Sequence, residues 1–213
     1  MSVAVDHLRK ADPELGRAIK RLGPLETPLR GAPDVFAMLA EAIVFQQLSG
    51  KAAATVFGRL VKLCPGPNDY PGIEAVLGSS DEDLRGCGMS RAKVLALRDL
   101  AERADSGELP TLDDVSTMDD EAIVTALTKV RGIGRWSAEM FLIFRLGRPD
   151  VLPVGDLGVR KGASLVFGTA ELPSPAELTD MAEPWRPYRT TACHYLWRAV
   201  EVLRQPDASS SSR

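Results

Sequence analysis

Helix start signals dominate the sequence, and they constrain the fold more than any other feature. Polar capping residues precede apolar stretches of three-to-four-residue period at Asp12, Ser49, Ser90, Asp156 and Ser174, and a further helix is predicted to begin at or near Thr117. Ser174 is followed by Pro175 and Glu177, the pattern of a capping box. No stretch of useful length alternates apolar and polar residues, as a half-buried strand would. The sequence therefore predicts an all-α protein.

Composition is that of an ordinary globular protein. The 213 residues are 45% apolar, enough for one generous core or two small lobes. No run of about 18 apolar residues exists, and the N-terminus lacks the apolar segment of a secretory signal, so we expect a cytoplasmic protein without membrane association. The odd number and wide spacing of Cys64, Cys87 and Cys193 favour reduced thiols over disulfides or a metal site built from side chains.

Charge is unevenly distributed along the chain. The formal net charge of −3 alone argues against a nucleic-acid partner. Residues 129 to 164, however, include seven basic and three acidic residues, which gives this segment a net charge of +4. A positive region on an acidic protein can still bind a polyanion.

That positive region begins with "KVRGIGRWSAEMFLIF", residues 129 to 144, in which two glycines separate two predicted helices. Glycine permits positive φ and close approach of a ligand to the backbone, and the next helix offers main-chain N–H groups to a phosphate. Ile133 would anchor the tip or pack into a groove, although such a turn can also serve only close helix packing. The predicted DNA-binding residues here are Lys129, Arg131, Gly132, Ile133, Gly134, Arg135 and Ser137.

This hairpin and the following "VLPVGDLGVRKG" resemble the helix-hairpin-helix and Gly/Pro-rich loop of the base-excision DNA glycosylase superfamily, nearest to its 3-methyladenine DNA glycosylase II type. The likeness covers about residues 33 to 204. It implies two helical lobes flanking a DNA-binding cleft in one domain, residues 1–205, with the hairpin at about 127–137, the catalytic loop at about 147–157 and a disordered tail at 206–213. Larger members begin with a β-containing domain, so the chain resembles the short form.

The resemblance implies that Asp156 is catalytic, although the residue by itself would be expected only to cap a helix. Breaking an N-glycosidic bond leaves positive charge on the sugar, which a nearby carboxylate stabilises. One carboxylate suffices if the leaving base is already cationic, as N-methylated purines are. We therefore expect hydrolysis of the N-glycosidic bond of alkylated purines such as 3-methyladenine.

Resembling enzymes that also cut the backbone carry a lysine amine shortly after the second hairpin glycine. Trp136 occupies that place, which predicts a monofunctional enzyme that leaves an intact abasic site. The cysteine quartet that binds an iron-sulfur cluster in some relatives is absent. No cofactor is expected, apart from an alkali ion at the hairpin carbonyls, as in resembling proteins.

Removing a paired base requires extruding it and filling the gap. Resembling enzymes insert a side chain from the segment that here reads "FQQLS", which nominates Gln46, Gln47 and Leu48. Some relatives have an aliphatic wedge where Gln47 aligns, so Leu48 is a rival, and both glutamines can also simply cap a helix end. Trp136, Trp185 and Tyr188 are candidates to stack on a cationic base, and each is equally compatible with a core position.

Three functions remain open at this point. The first is a monomeric glycosylase acting on damaged double-stranded DNA, for alkylated purines or for a different base lesion. The second is a noncatalytic helix-hairpin-helix module that binds DNA only through phosphates. The third is a helical interaction scaffold, which the overall acidic balance favours and which would not bind DNA even at low salt.

Overall fold

A computed structural model describes residues 3–27, 29 and 31–203 of the chain. The predicted tail at 206–213 lies outside these residues. The chain divides into two compact units, unit 1 (Met1–Leu29 and Leu142–Arg213) and unit 2 (Arg30–Phe141). Within the described ranges the chain is helical, with one isolated bridge between Pro65 and Pro71 and no strand, which confirms the all-α prediction. No helix in that part of the chain is long and apolar enough to cross a membrane.

The helices are numbered in chain order. They are α1 (Val3–Ala11), α2 (Pro13–Leu22), α3 (Val35–Phe45), α4 (Gly50–Leu63), α5 (Ile73–Gly78), α6 (Asp81–Gly86), α7 (Arg91–Asp105), α8 (Leu112–Thr117), α9 (Asp120–Leu127), α10 (Arg135–Phe144), α11 (Leu157–Phe167), α12 (Pro175–Met181) and α13 (Arg189–Leu203). The boundary between the units falls within α10.

The predicted caps are confirmed in most cases. The Asp12 carboxylate accepts the main-chain N–H groups of Glu14 and Leu15, both at 3.0 Å. Ser49 and Ser90 cap α4 and α7, and Ser174 forms the capping box with Glu177 at α12. Each cap satisfies an N–H group that the helix itself leaves without a partner.

The helix predicted to begin at or near Thr117 begins at Asp120. Thr117 ends α8, and Asp119 caps the following helix, α9, by accepting the Ala122 N–H at 2.7 Å. The short helices α5, α6 and α8 span six residues each. A helix of fewer than two turns shows no clear hydrophobic period, so periodicity alone does not predict these three.

Unit 2 is organised around α7, which packs against α3, α5 and α6. Helix α3 is apolar on nearly all sides and is almost entirely buried. The large side chains that fill this core are Leu39, Ile43, Leu60, Leu84, Leu97, Leu100, Ile123 and Leu127.

Unit 1 is organised around the close packing of α11 on α13. A Cβ atom on Gly158 would lie 2.8 Å from Trp197 Cδ1, and a Cβ on Gly162 would overlap the Leu196 carbonyl. The two glycines are one helical turn apart, so one face of α11 approaches α13 without side chains in between. The main buried residues are Leu8, Leu15, Ile19, Val159, Ala163, Leu178, Trp185, Cys193, Tyr195 and Leu196.

We expect Gly162→Ala to destabilise the protein by about 1–3 kcal/mol, because the added methyl group must displace the α13 backbone. Urea unfolding would measure the loss. Gly58→Ala is the matched control: Gly58 lies inside α4, and apart from its own helix backbone no atom lies within 4 Å of the place where its Cβ would be, so this change should stabilise by up to about 1 kcal/mol. Equal stability of the two variants would contradict the proposed close packing.

Candidate functional site

Asp156 is the N-cap of α11, as the sequence predicts, and its carboxylate has a second donor. Its Oδ1 accepts the Val159 N–H at 2.7 Å and the indole Nε1–H of Trp197 at 2.8 Å. The two N–H groups fix the orientation of the carboxylate at the helix N-terminus. The residue is half-buried, at the edge of the packed unit 1.

The loop that leads to Asp156, residues 147–157, is fixed by the first turns of α13. The Thr190 hydroxyl donates to the Arg148 carbonyl at 2.6 Å and accepts the Val151 N–H at 3.0 Å. Together with Trp197, one face of α13 therefore holds both ends of this loop.

Asp150 adds an ionic contact at the centre of the same loop. Its carboxylate binds Arg189 Nε at 2.7 Å and Arg186 Nη1 at 2.8 Å, and Arg189 Nη2 also donates to the Asp150 carbonyl. Because the Arg189 side chain is largely shielded from water, this pair is stronger than an ordinary surface ion pair.

An aromatic cluster supports the indole of Trp197. Its ring stacks on Phe144 at a centroid distance of 5.5 Å, and His194 meets both rings edge-on. Burial lowers the pKa of His194, so the imidazole is neutral at neutral pH. Apolar packing thus fixes the orientation of the indole that reaches Asp156.

The hairpin turn, residues 128–134, is held by hydrogen bonds within unit 2. Gly132 has φ of +78°, a conformation that favours glycine. The Arg131 N–H donates to Asp99 Oδ2 at 2.8 Å, and the Gly132 carbonyl accepts the Gln46 amide at 3.0 Å. Burial opposes ionisation of Asp99, but the Arg131 N–H and the Arg103 side chain together lower its pKa. The turn is therefore fixed by an ionised carboxylate and a side-chain amide.

Ile133 takes the first of the two roles that the sequence left open. Its side chain is only 4% exposed, so it anchors the hairpin tip in the core and is not the DNA contact that the other role required. The exposed groups on the turn include the backbone of Gly132 and Gly134 and the basic side chains of Lys129 and Arg131.

Arg135, at the start of α10, is paired with an acidic residue. Its guanidinium binds the Glu121 carboxylate through two hydrogen bonds of 2.9 and 2.7 Å. Both side chains are largely exposed, so the pair contributes little to stability. A phosphate at this position would compete with Glu121 for Arg135.

Gln46, Gln47 and Leu48 form a tight turn, the glutamine turn (residues 46–48), between α3 and α4. Gln47 is exposed with φ of +56°, and Leu48 is 39% exposed. The Gln46 side chain points to the hairpin, and Lys93 Nζ of α7 donates to the Val44 and Gln46 carbonyls at 2.8 and 2.7 Å. The glutamine turn and the hairpin turn are therefore tied directly to each other.

The three predicted pocket aromatics have different environments. Trp185 is fully buried, stacks on Phe167 and donates its Nε1–H to Asp12 at 2.9 Å, so the prediction that it stacks on a base was wrong. Trp136 is 49% exposed at the start of α10. Tyr188 is half-buried, with its ring 5.3 Å from that of His7. For Trp136 and Tyr188 the pocket role stays a prediction.

Sequence reasoning missed three residues that hold these features: Trp197 in unit 1, and Asp99 and Lys93 in unit 2. Trp197 lies 41 positions from its partner Asp156, and Asp99 lies 32 positions from Arg131. The Gly158-x-x-x-Gly162 pattern was the one available signal, because glycines one turn apart permit close contact with a neighbouring helix.

Comparisons with known proteins agree with this geometry. The family model described as "HhH-GPD superfamily base excision DNA repair protein" matches residues 40–187. The chain is 33% identical to DNA-3-methyladenine glycosylase 1 of Schizosaccharomyces pombe over 92% of this chain and 86% of that protein. It is also similar to two solved structures. One is the S. pombe 3-methyladenine DNA glycosylase in complex with abasic DNA (TM-score 0.83, 31% identity, 96% of this chain and all of that chain). The other is a Bacillus halodurans DNA-3-methyladenine glycosidase (TM-score 0.86, 36% identity, 95% and 91%).

The lowered pKa of His194 predicts a loss of stability in mild acid. Its folded pKa lies below the unfolded value of about 6.5, so as pH falls from that value towards the folded pKa only the unfolded chain gains a proton. We expect the free energy of unfolding to decrease over this window, and less so in His194→Gln. Urea unfolding of both proteins at pH 7.5 and 5.5 measures the difference, and an identical pH dependence would contradict it.

Proposed function

Because the chain belongs to the HhH-GPD superfamily of base excision DNA repair proteins, we propose that it is a DNA glycosylase that hydrolyses the N-glycosidic bond of alkylated purines. The observation that carries the proposal is the Asp156 carboxylate, bound by the Val159 N–H and the Trp197 indole in the loop that the family uses for catalysis. The relatives named as 3-methyladenine glycosylases make that base the first substrate to test.

Asp156 stabilises the positive charge that develops on the sugar as the base departs. Its two N–H donors keep the carboxylate oriented, so little reorganisation is needed during bond cleavage. A methylated purine leaves as a neutral base because it is already cationic when bonded to the sugar. No general acid is required, and water completes the hydrolysis at the sugar carbon.

The residue that follows the hairpin explains why the product keeps an intact DNA backbone. Cleaving the strand would require an amine that forms a Schiff base with the sugar. The position of that amine after the hairpin carries the indole of Trp136, which is not a nucleophile. The enzyme is therefore monofunctional, and it releases free base and an abasic site.

DNA binding relies on the hairpin turn. Lys129, Arg131 and the exposed glycine backbone contact phosphates, which position the strand without reading its sequence. An alkali ion at the hairpin carbonyls stays a proposal. The Val130 and Gly132 carbonyls accept the Ile133 N–H and the Gln46 amide, and each oxygen retains a second lone pair that suits such an ion.

Asp156→Asn should lower the rate of 3-methyladenine release by on the order of 10²–10³-fold, because the amide cannot stabilise the cationic sugar. Chromatography of base released from methylated duplex DNA measures the loss. Affinity for unmodified duplex should stay close to that of the wild type. A wild-type protein that binds DNA but releases no base would instead favour a noncatalytic module.

Trp197→Phe should lower kcat by about tenfold and leave KM nearly unchanged, since it removes the N–H donor to Asp156 but keeps an aromatic ring beside Phe144. Steady-state kinetics on methylated duplex measures both constants. Trp185→Phe is the matched control, because it removes the indole donor to Asp12 in the same unit. That control should lower stability but not kcat, and an equal fall of kcat in both variants would contradict the role of Trp197.

A further inference from the structure

The glutamine turn has an unusual backbone at its exposed residue. Gln47 has φ of +56°, a left-handed conformation that is unfavourable for a side chain with a Cβ atom. Residues in such conformations persist where surrounding contacts fix them, and they concentrate at functional sites. The contacts that hold this turn therefore bear on the function of the exposed Gln47 side chain.

Lys93 supplies the main contact. Its Nζ donates to the Val44 carbonyl at 2.8 Å and to the Gln46 carbonyl at 2.7 Å, immediately before Gln47. These carbonyls belong to the last turn of α3 and its cap, where a helix leaves acceptors without partners. The amine is half-buried, and burial lowers its pKa. Two of its three N–H groups are thus directed into the protein.

Gln46 supplies the second contact. Its side-chain amide donates to the Gly132 carbonyl of the hairpin turn at 3.0 Å, while its own carbonyl accepts from Lys93. The same helix that carries Lys93 also carries Asp99, which accepts the Arg131 N–H at 2.8 Å. Lys93 and Asp99 are six residues apart on α7, so one helix holds both turns at a fixed separation.

We propose that Lys93 is a positioning residue for base extrusion, which holds Gln47 in the conformation that enters the gap while the hairpin turn binds the neighbouring phosphates. Gln46 is the internal link between the two turns and not a DNA contact. The inference rests on the proposed glycosylase function, because only an extruded base creates a gap to fill. It assigns Gln47, rather than Leu48, as the inserted side chain.

The test compares substrates that do and do not require a gap to be filled. Lys93→Met keeps an unbranched side chain of similar length but lacks the N–H donors. We expect 3-methyladenine release from methylated duplex to fall on the order of 10- to 100-fold, with kcat affected more than KM. Release from the same DNA after strand separation should change less than threefold or so, since no partner strand remains to be wedged apart.

Lys62→Met is the matched control. Lys62 is an exposed lysine in the last turn of α4, at the far end of a 14-residue helix that starts beside the glutamine turn, about 20 Å away. The Lys62→Met variant should show the same ratio of activity on duplex DNA to activity on single strands as the wild type. Thermal unfolding of all variants identifies any loss caused by misfolding.

A second measurement separates positioning from direct phosphate binding. If Lys93 contacted a phosphate, its loss would reduce the slope of log K against log salt by about 1 for unmodified duplex. We expect the slope to stay the same, because the amine is bound to main-chain carbonyls. A reduced slope, or equal activity losses on duplex and single strands, would overturn the proposal.

If the protein is not a glycosylase, the activity assays give a different result from the one that would contradict the role of Lys93. In that case wild-type protein releases no base from either substrate, whatever residue 93 is. The fluorescence of 2-aminopurine opposite an abasic site still reports insertion into the gap without any chemistry. A change in this signal on binding wild type, absent for Lys93→Met and for Gln47→Ala, supports the role of Lys93, and identical signals for the three proteins overturn it.

Discussion

The absence of two Cβ atoms is the constraint on which the packing of unit 1 depends. Gly158 and Gly162 let α11 lie directly on α13, and any larger residue would overlap Trp197 or the Leu196 carbonyl. This contact brings the Trp197 indole to the carboxylate that caps α11. Helix α11, which Asp156 caps, and helix α13, which carries Trp197, thus lie close enough for the indole to reach the carboxylate. The packing contact between the two helices is therefore also the contact that orients the proposed catalytic carboxylate.

In unit 2, polar contacts rather than close helix packing hold two exposed turns in place. Its two exposed turns are formed by segments 86 residues apart, and neither is stabilised by apolar packing alone. Polar side chains of α7 and the amide of Gln46 bind their main-chain groups directly. Main-chain carbonyls and N–H groups keep their positions better than long exposed side chains do, so such contacts suit exposed turns that must keep a defined geometry.

Local patterns in the sequence predicted the features that depend on local physics. Caps and apolar periods located most helices, and Asp156 was recognised as an N-cap because capping needs only neighbouring residues. The glycine hairpin was found for the same reason. The environments of Trp185 and Ile133 were not predictable, because an aromatic or aliphatic side chain looks the same in sequence whether it lies in the core or in a cleft. Likewise, no local pattern pairs Lys93 with carbonyls 47 and 49 positions away.

The ion pair between Arg135 and Glu121 bears on the prediction that Arg135 contacts DNA. A repair enzyme meets vastly more intact nucleotides than damaged ones, and binding that is too strong would hold it on the intact ones. A phosphate that bound Arg135 would first have to displace the Glu121 carboxylate already in place. If Arg135 meets DNA, this competition would weaken attachment to intact duplex and shorten each encounter.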